Sequence, residues 1–174
     1  MTLVPLAPAS APRSLWVVLG LSMLVSTVPV FLPGADSEGV ARFVPLLLIA
    51  GLLGALLLLP RRLAFTLTPD ALVITHLTGE TRLPYAGVTA WQTHGHLGLK
   101  VGGTGLPGYY TGHYLFHADG LNGVLAASSA TRGDVIVKAG GKAYFLTPAD
   151  PAGFLKALAR RGVKLEATSG LQRS

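Results

Sequence analysis

The sequence predicts a fold in two parts: a hairpin of two membrane-spanning helices, followed by one mainly-β domain with a C-terminal helix. Three observations support this fold class. The mean hydropathy of +0.52 is high for a soluble protein. Two long apolar segments lie within the first 60 residues. The rest of the chain consists of short alternating runs separated by turn residues, which is typical of about seven or eight antiparallel strands.

The two apolar segments define the hairpin, 15–60. Its predicted helices, 15–33 and 43–60, follow an N-terminal tail, 1–14. Each contains an uncharged run close to the roughly 20 residues that cross a hydrocarbon core. The connection between them is short and polar, so we expect them to be antiparallel. The alternative of a cleaved signal peptide over 1–33 is disfavoured, because the region before the first run has one cation and no small-x-small cleavage site stands out.

Cations at the ends of the hairpin predict its orientation. Arg13 precedes the first helix, Arg61 and Arg62 follow the second, and the connection between the helices carries two acids. The positive-inside rule then places both termini in the cytoplasm, in a multi-pass protein of the cell (inner) membrane. Trp16 suits the headgroup level, so these four residues are the predicted membrane-interface set.

Small residues repeat at four-residue spacing in the second predicted helix. Ala50 with Gly54, and Gly51 with Ala55, would let another helix approach closely. The partner helix would be the first helix of the hairpin, a second copy in a homo-oligomer, or a larger membrane complex. The other interpretation is that Gly and Ala are simply common in membrane helices.

A β domain is predicted over 61–162, with a flexible tail over 163–174. Turn chemistry separates its strands, as at Thr68-Pro69-Asp70 and Gly140-Gly141. Asp150 and Pro151 then predict the start of a helix with an apolar face, which Gly162 ends. The candidate strands are 63–67, 71–77, 81–84, 88–93, 113–118, 123–128, 134–139 and 142–147.

The β domain resembles the bacterial pleckstrin-homology-like domains of small membrane proteins. The resemblance rests on the strand pair 65–74, the step at 83–88, the Gly-Tyr segment 105–114 and the ending 144–150 with its helix. It implies two near-orthogonal antiparallel sheets with a C-terminal helix over one end. It does not imply phosphoinositide binding, and a role in interaction or assembly is expected instead.

A Gly-rich loop, predicted over 95–112, is the candidate binding site. Glycine-rich loops with aromatic residues often bind ligands or partners, although tight packing explains the same composition. The segment 103–108 formally matches a dinucleotide-binding pattern but lacks the strand-to-helix context. The candidate binding residues are Gly105, Gly108, Tyr109, Tyr110, Gly112 and Tyr114.

Other chemistry is poorly supported. There are no cysteines, and the histidines at 94, 96, 113 and 117 lack an acidic or thiolate residue to complete a metal site. Nothing pairs a serine with a histidine and a carboxylate. We therefore predict no enzyme activity, no catalytic or metal residue and no cofactor.

Charge is confined to the second part of the chain. The first 60 residues hold two of the 14 Lys and Arg and two of the 8 Asp and Glu, so the formal charge of +6 belongs to the rest. Lys156, Arg160 and Arg161 are candidate contacts to lipid headgroups, although an ordinary solvated helix face is the favoured explanation. A basic stripe interleaved with aromatics is missing, so nucleic acid is not an expected partner.

These observations predict a membrane-anchored, non-enzymatic module that holds a basic β domain at the cytoplasmic face of the bilayer. The domain would bind a protein partner or a lipid headgroup. The alternative is a small accessory or regulatory subunit that joins a larger membrane complex through its helices.

Overall fold

The computed structural model of the protein describes residues 2–7, 63–106 and 108–167. Within them the fold is mainly β, with two sheets and one short helix. The elements in chain order are β1 (Thr2–Val4), β2 (Ala64–Leu67), β3 (Ala71–His76), β4 (Gly79–Pro84), β5 (Thr89–Gln92), β6 (Lys100–Leu106), β7 (Tyr109–Leu115), β8 (Gly123–Ser128), β9 (Val135–Ala139), β10 (Lys142–Leu146), α1 (Pro151–Ala159) and β11 (Lys164–Leu165).

The first sheet is an antiparallel meander in the order β1-β2-β3-β4. Its β2–β3 turn is closed by Thr68, whose Oγ1 accepts a 3.0 Å hydrogen bond from the main-chain N–H of Ala71 and whose own N–H donates a 3.0 Å bond to the carbonyl of that residue. Thr side chains favour turns because they replace main-chain partners in this way. The turn sets the register that pairs Phe65 with Ile74 in the core.

The second sheet has seven strands in the order β11-β5-β9-β10-β8-β7-β6. Most neighbours are antiparallel, but β8 and β10 run parallel, and so do β5 and β11. Strand β9, in the interior of this sheet, is buried on both faces over its first three residues. Val135 and Val137 point into one hydrophobic cluster and Ile136 into another, as the period of two in a strand requires.

The first cluster fills the space between the two sheets and α1, and the second covers the opposite face of the seven-stranded sheet. Helix α1 begins at Asp150, whose Oδ1 accepts a 2.9 Å hydrogen bond from the Gly153 N–H. Its buried residues Phe154 and Leu158 belong to the first cluster. After the helix, Gly162 has a φ of +87°, which a glycine adopts at little cost.

The segment 2–7 is part of the β domain, although the sequence suggested a tail there. Strand β1 pairs with β2, and the Ala7 N–H donates a 3.0 Å hydrogen bond to the carbonyl of Thr147. The buried Ser129 hydroxyl donates a 2.8 Å bond to the Ala7 carbonyl and lies 3.1 Å from the Thr147 hydroxyl. Because Val4 lies opposite Phe65, the segment 2–7 runs antiparallel to the start of the domain at 63–67.

The predicted fold class needs correction. In the part of the chain that the structure describes, no helix is long and apolar enough to cross a bilayer. The helix α1 has nine residues, about 14 Å at 1.5 Å per residue, against a hydrocarbon core of about 30 Å. The two-helix hairpin is therefore not supported, and the segments on which it was based, 15–33 and 43–60, lie outside the described residues.

The predicted number of strands was also too small. The described residues form eleven strands rather than seven or eight, because β1, β6 and β11 were not foreseen. Two of these three are very short, with three and two residues. The third, β6, lies inside the predicted Gly-rich loop.

Candidate functional site

The predicted loop 95–112 contains most of a β-hairpin formed by β6 and β7. Gly103 lies opposite Gly112, and their φ angles are +106° and +108°. A Cβ atom on Gly103 would lie 2.1 Å from the carbonyl oxygen of Thr111, and one on Gly112 would lie 2.3 Å from the carbonyl oxygen of Gly102. The two glycines let the strands approach where any side chain would force them apart.

The tyrosines of the hairpin are mainly structural. Tyr109 is 2% exposed, and its phenolic oxygen accepts a 2.7 Å hydrogen bond from the Leu77 N–H. The Tyr114 hydroxyl donates a 2.8 Å bond to the carbonyl of Thr104. Tyr110 packs edge-on against Tyr114 with ring centroids 6.5 Å apart. Burial raises the pKa of both Tyr110 and Tyr114, so both phenols stay neutral at physiological pH.

The other predicted loop residues shape the hairpin. Gly108, with a φ of +82°, lies in the turn between the strands. A Cβ atom on Gly105 would lie 2.7 Å from the Tyr114 hydroxyl oxygen, so this glycine makes room for the tyrosine. The predicted set is thus brought together in one hairpin, but its aromatic rings are largely covered. A binding role for these residues stays a prediction.

The exposed apolar residues of this region lie along β6. We call residues 99–106 the β6 edge, because β6 ends the seven-stranded sheet and has β7 as its one neighbour among the described strands. Leu99 is 75% exposed and Val101 is 68% exposed. The register shifts between Lys100 and Gly102, which marks a β-bulge. Leu99 and Val101 therefore place two large apolar side chains at the start of β6, whose outer side has no neighbour among the described strands.

A cleft opens beside the β6 edge, on one face of the sheet. Its volume is about 310 Å³, and the side chains around it include Val101, His113, Leu115, Leu125 and Lys142. None of the residues that line it is Asp or Glu. The cleft therefore combines apolar walls with one cation and one imidazole.

Gly102 keeps one side of the cleft open. It lies opposite His113 in the register, and residues directly opposite each other share a face of the sheet. A Cβ atom on Gly102 would meet nothing within 4 Å, and the φ of this residue is not positive. A larger side chain fits there without strain and would fill the space above His113.

The predicted headgroup contacts lie elsewhere. Lys156 and Arg160 are exposed on or after α1, and the Arg161 guanidinium donates a 2.9 Å hydrogen bond to the Ala157 carbonyl. Helix α1 packs near β5 and β11, at the other end of the seven-stranded sheet from β6. The basic helix end and the β6 edge are therefore separate surfaces.

Several predicted residues lie outside the part that the structure describes: Arg13, Trp16, Ala50, Gly51, Gly54, Ala55, Arg61 and Arg62. Their roles at a membrane interface or in helix packing stay predictions, as does the location in the cell membrane. Among residues 2–7, 63–106 and 108–167, no three metal-ligating side chains come together. His96 forms an isolated bridge with Arg132, and His113 lies in β7.

The β6 edge was missed because glycines interrupt its alternation. A signal was nevertheless present: Leu97, Leu99 and Val101 recur with a period of two, as in a half-buried strand. Of the three, only Leu97 is buried. The residues near Lys142 in the sequence do not indicate that it lines the cleft. It lines the cleft because β10, which begins with Lys142, pairs in parallel with β8.

Comparison with known proteins identifies the family of the β domain. The family model described as Bacterial PH domain matches residues 63–162, from just before β2 to the end of the turn after α1. No curated protein and no solved structure matches the chain. The family match confirms the resemblance seen in the sequence and covers more than half of the 174 residues. The chain therefore belongs to the bacterial PH domain family.

Proposed function

We propose that the β domain is a non-enzymatic interaction module that binds a protein partner at the β6 edge. An extended segment of the partner would add to the sheet beside β6, with its main chain hydrogen-bonded to that strand. The observation that carries this proposal is the open side of β6, with exposed Leu99 and Val101 at the start of the strand. Strand addition to an exposed edge is a common way to recognise an extended peptide.

The other sheet edges are less suited to strand addition. Strand β4 carries Glu80, Arg82 and Pro84, and charges and proline are the residues that protect an edge from pairing. Strands β1 and β11 have three and two residues. By contrast β6 has seven residues, three of them glycine, and its one charge is Lys100. Its bulge and its charge lie at its first residues, and the rest of the strand, 102–106, has no charge and no proline.

A lipid headgroup is the other ligand class expected from the sequence. The exposed Lys156 and Arg160 would serve such a role, but a few exposed cations on one helix also suit an ordinary solvated face. An extended polypeptide can use both the two exposed apolar side chains and the unpaired main chain of β6, whereas a headgroup uses neither. The β6 edge therefore favours a polypeptide over a headgroup.

Site-specific photo-crosslinking tests the proposal. A photoreactive amino acid would replace Leu99 in the full chain, expressed in its native cells, and the same replacement at Leu165, on the opposite edge, is the control. We expect an adduct with one contiguous segment of a partner protein from position 99, identified by mass spectrometry. Adding Val101→Asp should lower its yield several-fold. Equal yields from both positions, or adducts with lipid alone, would overturn the proposal.

A further inference from the structure

We infer that the segment received by the β6 edge is acidic, with carboxylate side chains that meet Lys100 on one face of the sheet and the cleft lined by His113 and Lys142 on the other. This inference rests on the proposed function and adds the chemistry of the partner. The surface concerned consists of the four strands β6, β7, β8 and β10, with the β6 edge at its outer side.

The charges of these four strands all have the same sign. Their charged residues are Lys100 and Lys142, and they contain no Asp or Glu. The six acidic residues after position 60 all lie outside these four strands. A surface with one sign of charge attracts segments of the opposite sign and rejects those of its own.

Lys100 is placed to meet a carboxylate on one face. It lies opposite Tyr114, and its side chain runs along β6 as far as Gly105, where a Cβ atom would lie 3.4 Å from the lysine Cδ. An added strand would lie about 4.8 Å from β6. A carboxylate on that face of the added strand is therefore within reach of the Lys100 ammonium.

The cleft supplies the second contact, on the other face. Side chains of an added strand alternate between faces, so every second one points towards Val101 and the cleft. The strand β7 would lie about 10 Å away, two strand spacings, which a glutamate and the His113 imidazole span together. Because Gly102 has no side chain, the path over β6 to His113 is open. Lys142 adds positive charge at the far side of the cleft.

A second copy of this chain is a poor occupant. Pairing β6 with β6 would bring together two strands whose one charge is Lys100, and both copies carry the formal charge of +6. A second β6 therefore offers no acidic side chain to Lys100, and repulsion between two positively charged chains opposes their pairing. The charge of the surface therefore selects a different, acidic chain.

Designed peptides test the inference on the full chain. The probes are three octapeptides with the pattern Val-X-X-Val-Val-X-X-Val, where X is glutamate, glutamine or lysine, so that both faces of an added strand carry the test side chain. Each has capped termini and a fluorescent label. We expect the glutamate peptide to bind about tenfold or more tightly than the lysine peptide, and added salt to reduce the difference. Hydrogen exchange, measured in parallel, should show slower exchange of the β6 amides when the peptide is bound.

Charge-neutralising variants locate the contact. Lys100→Gln and Lys142→Gln should each weaken binding of the glutamate peptide about two- to fivefold. Lys156→Gln, which removes the same charge from exposed α1, is the matched control and should change nothing. Gly102→Leu, which has room for its side chain, should weaken binding by filling the space above His113.

The outcomes separate this inference from the proposed function. If all three peptides protect the β6 amides equally, the edge binds extended chains without regard to charge, and only the acidic preference is wrong. If the glutamate peptide binds without protecting β6, or Lys156→Gln matters as much as Lys100→Gln, both are wrong. Vesicles of anionic phosphatidylglycerol that bind with the same dependence on Lys100 and Lys142 would overturn the polypeptide partner. Absence of binding by any peptide would overturn the acidic segment, while the crosslinking result decides the edge itself.

Discussion

The main-chain N–H of Leu77 donates a 2.7 Å hydrogen bond to the phenolic oxygen of Tyr109, 32 positions later in the chain. Leu77 lies in the turn between β3 and β4, and Tyr109 begins β7. This bond joins a turn of the four-stranded sheet to the hairpin that carries the β6 edge. It positions the hairpin with a contact that no local pattern encodes.

Replacing Tyr109 by Phe should destabilise the fold by about 1–3 kcal/mol, because the Leu77 N–H loses its partner at a part-buried site. Denaturant unfolding measures this loss, and hydrogen exchange should show faster exchange at Leu77. Tyr110→Phe, which keeps the edge contact between the rings of Tyr110 and Tyr114, is the control and should stay within about 0.5 kcal/mol of the wild type. Unchanged exchange at Leu77 in Tyr109→Phe would contradict the structural role.

The paired glycines of the hairpin provide a second prediction. Gly103→Ala should cost about 2–4 kcal/mol, because the added Cβ meets the Thr111 carbonyl and the φ of +106° disfavours alanine. Gly102→Ala, one residue earlier, has open space and no positive φ. It should leave stability unchanged or raise it by up to about 1 kcal/mol. Similar unfolding midpoints for the two variants would argue against this hairpin geometry.

Stability should depend on pH through Asp70. Its carboxylate accepts a hydrogen bond from the Thr68 hydroxyl and pairs with Arg82, and these contacts hold the pKa of Asp70 below its usual value of 3.8. A carboxyl with a lowered folded pKa stabilises the fold above its unfolded pKa, and the effect is lost as the pH falls through the folded value.

Asp70→Asn should therefore lower the melting temperature slightly at pH 7, and the difference should shrink as the pH falls below 3.8. Thermal melts of both proteins across this range measure the difference. Glu166→Gln serves as the control, because it removes an exposed carboxylate that follows β11 in the other sheet. A difference that persists or grows on acidification would rule out the assignment to Asp70.

The N-terminal segment should contribute to the stability of the β domain. Leu6 is partly buried against the first cluster, so Leu6→Ala should cost about 1–2 kcal/mol. Leu3, in β1, is 70% exposed, and Leu3→Ala should change the unfolding free energy by less than about 0.5 kcal/mol. Denaturant titration of the full chain distinguishes them. Equal effects would mean that the segment 2–7 does not dock as described.

Local chemistry made much of the β domain predictable from the sequence. The strand β8 spans the residues that the alternation indicates, and the Asp150-Pro151 pair marks the start of α1. These features depend on neighbouring residues, through side-chain alternation and a single capping bond. The turn at Thr68 likewise depends on residues within three positions of it.

Features that depend on distant residues were not predictable. The glycines of β6 look like a loop until Gly112 is placed opposite Gly103. The cleft needs Lys142 to reach the face of His113, which follows from the parallel pairing of β8 and β10. The tyrosines of the Gly-Tyr segment suggested a binding surface, but burial assigns most of their area to the core.

The hydrogen bond between Ala7 and Thr147 also limits when the segment 2–7 can complete its contacts during translation. A ribosome adds about 5–20 residues each second. The 140 positions between these two residues then correspond to about 7–28 s of synthesis. The segment 2–7 is translated before the other described residues. Its partners Ser129 and Thr147, which bond to Ala7, are not available until most of the chain has been translated. The pairing of β1 with β2 can therefore form well before the contacts of Ala7 with Ser129 and Thr147.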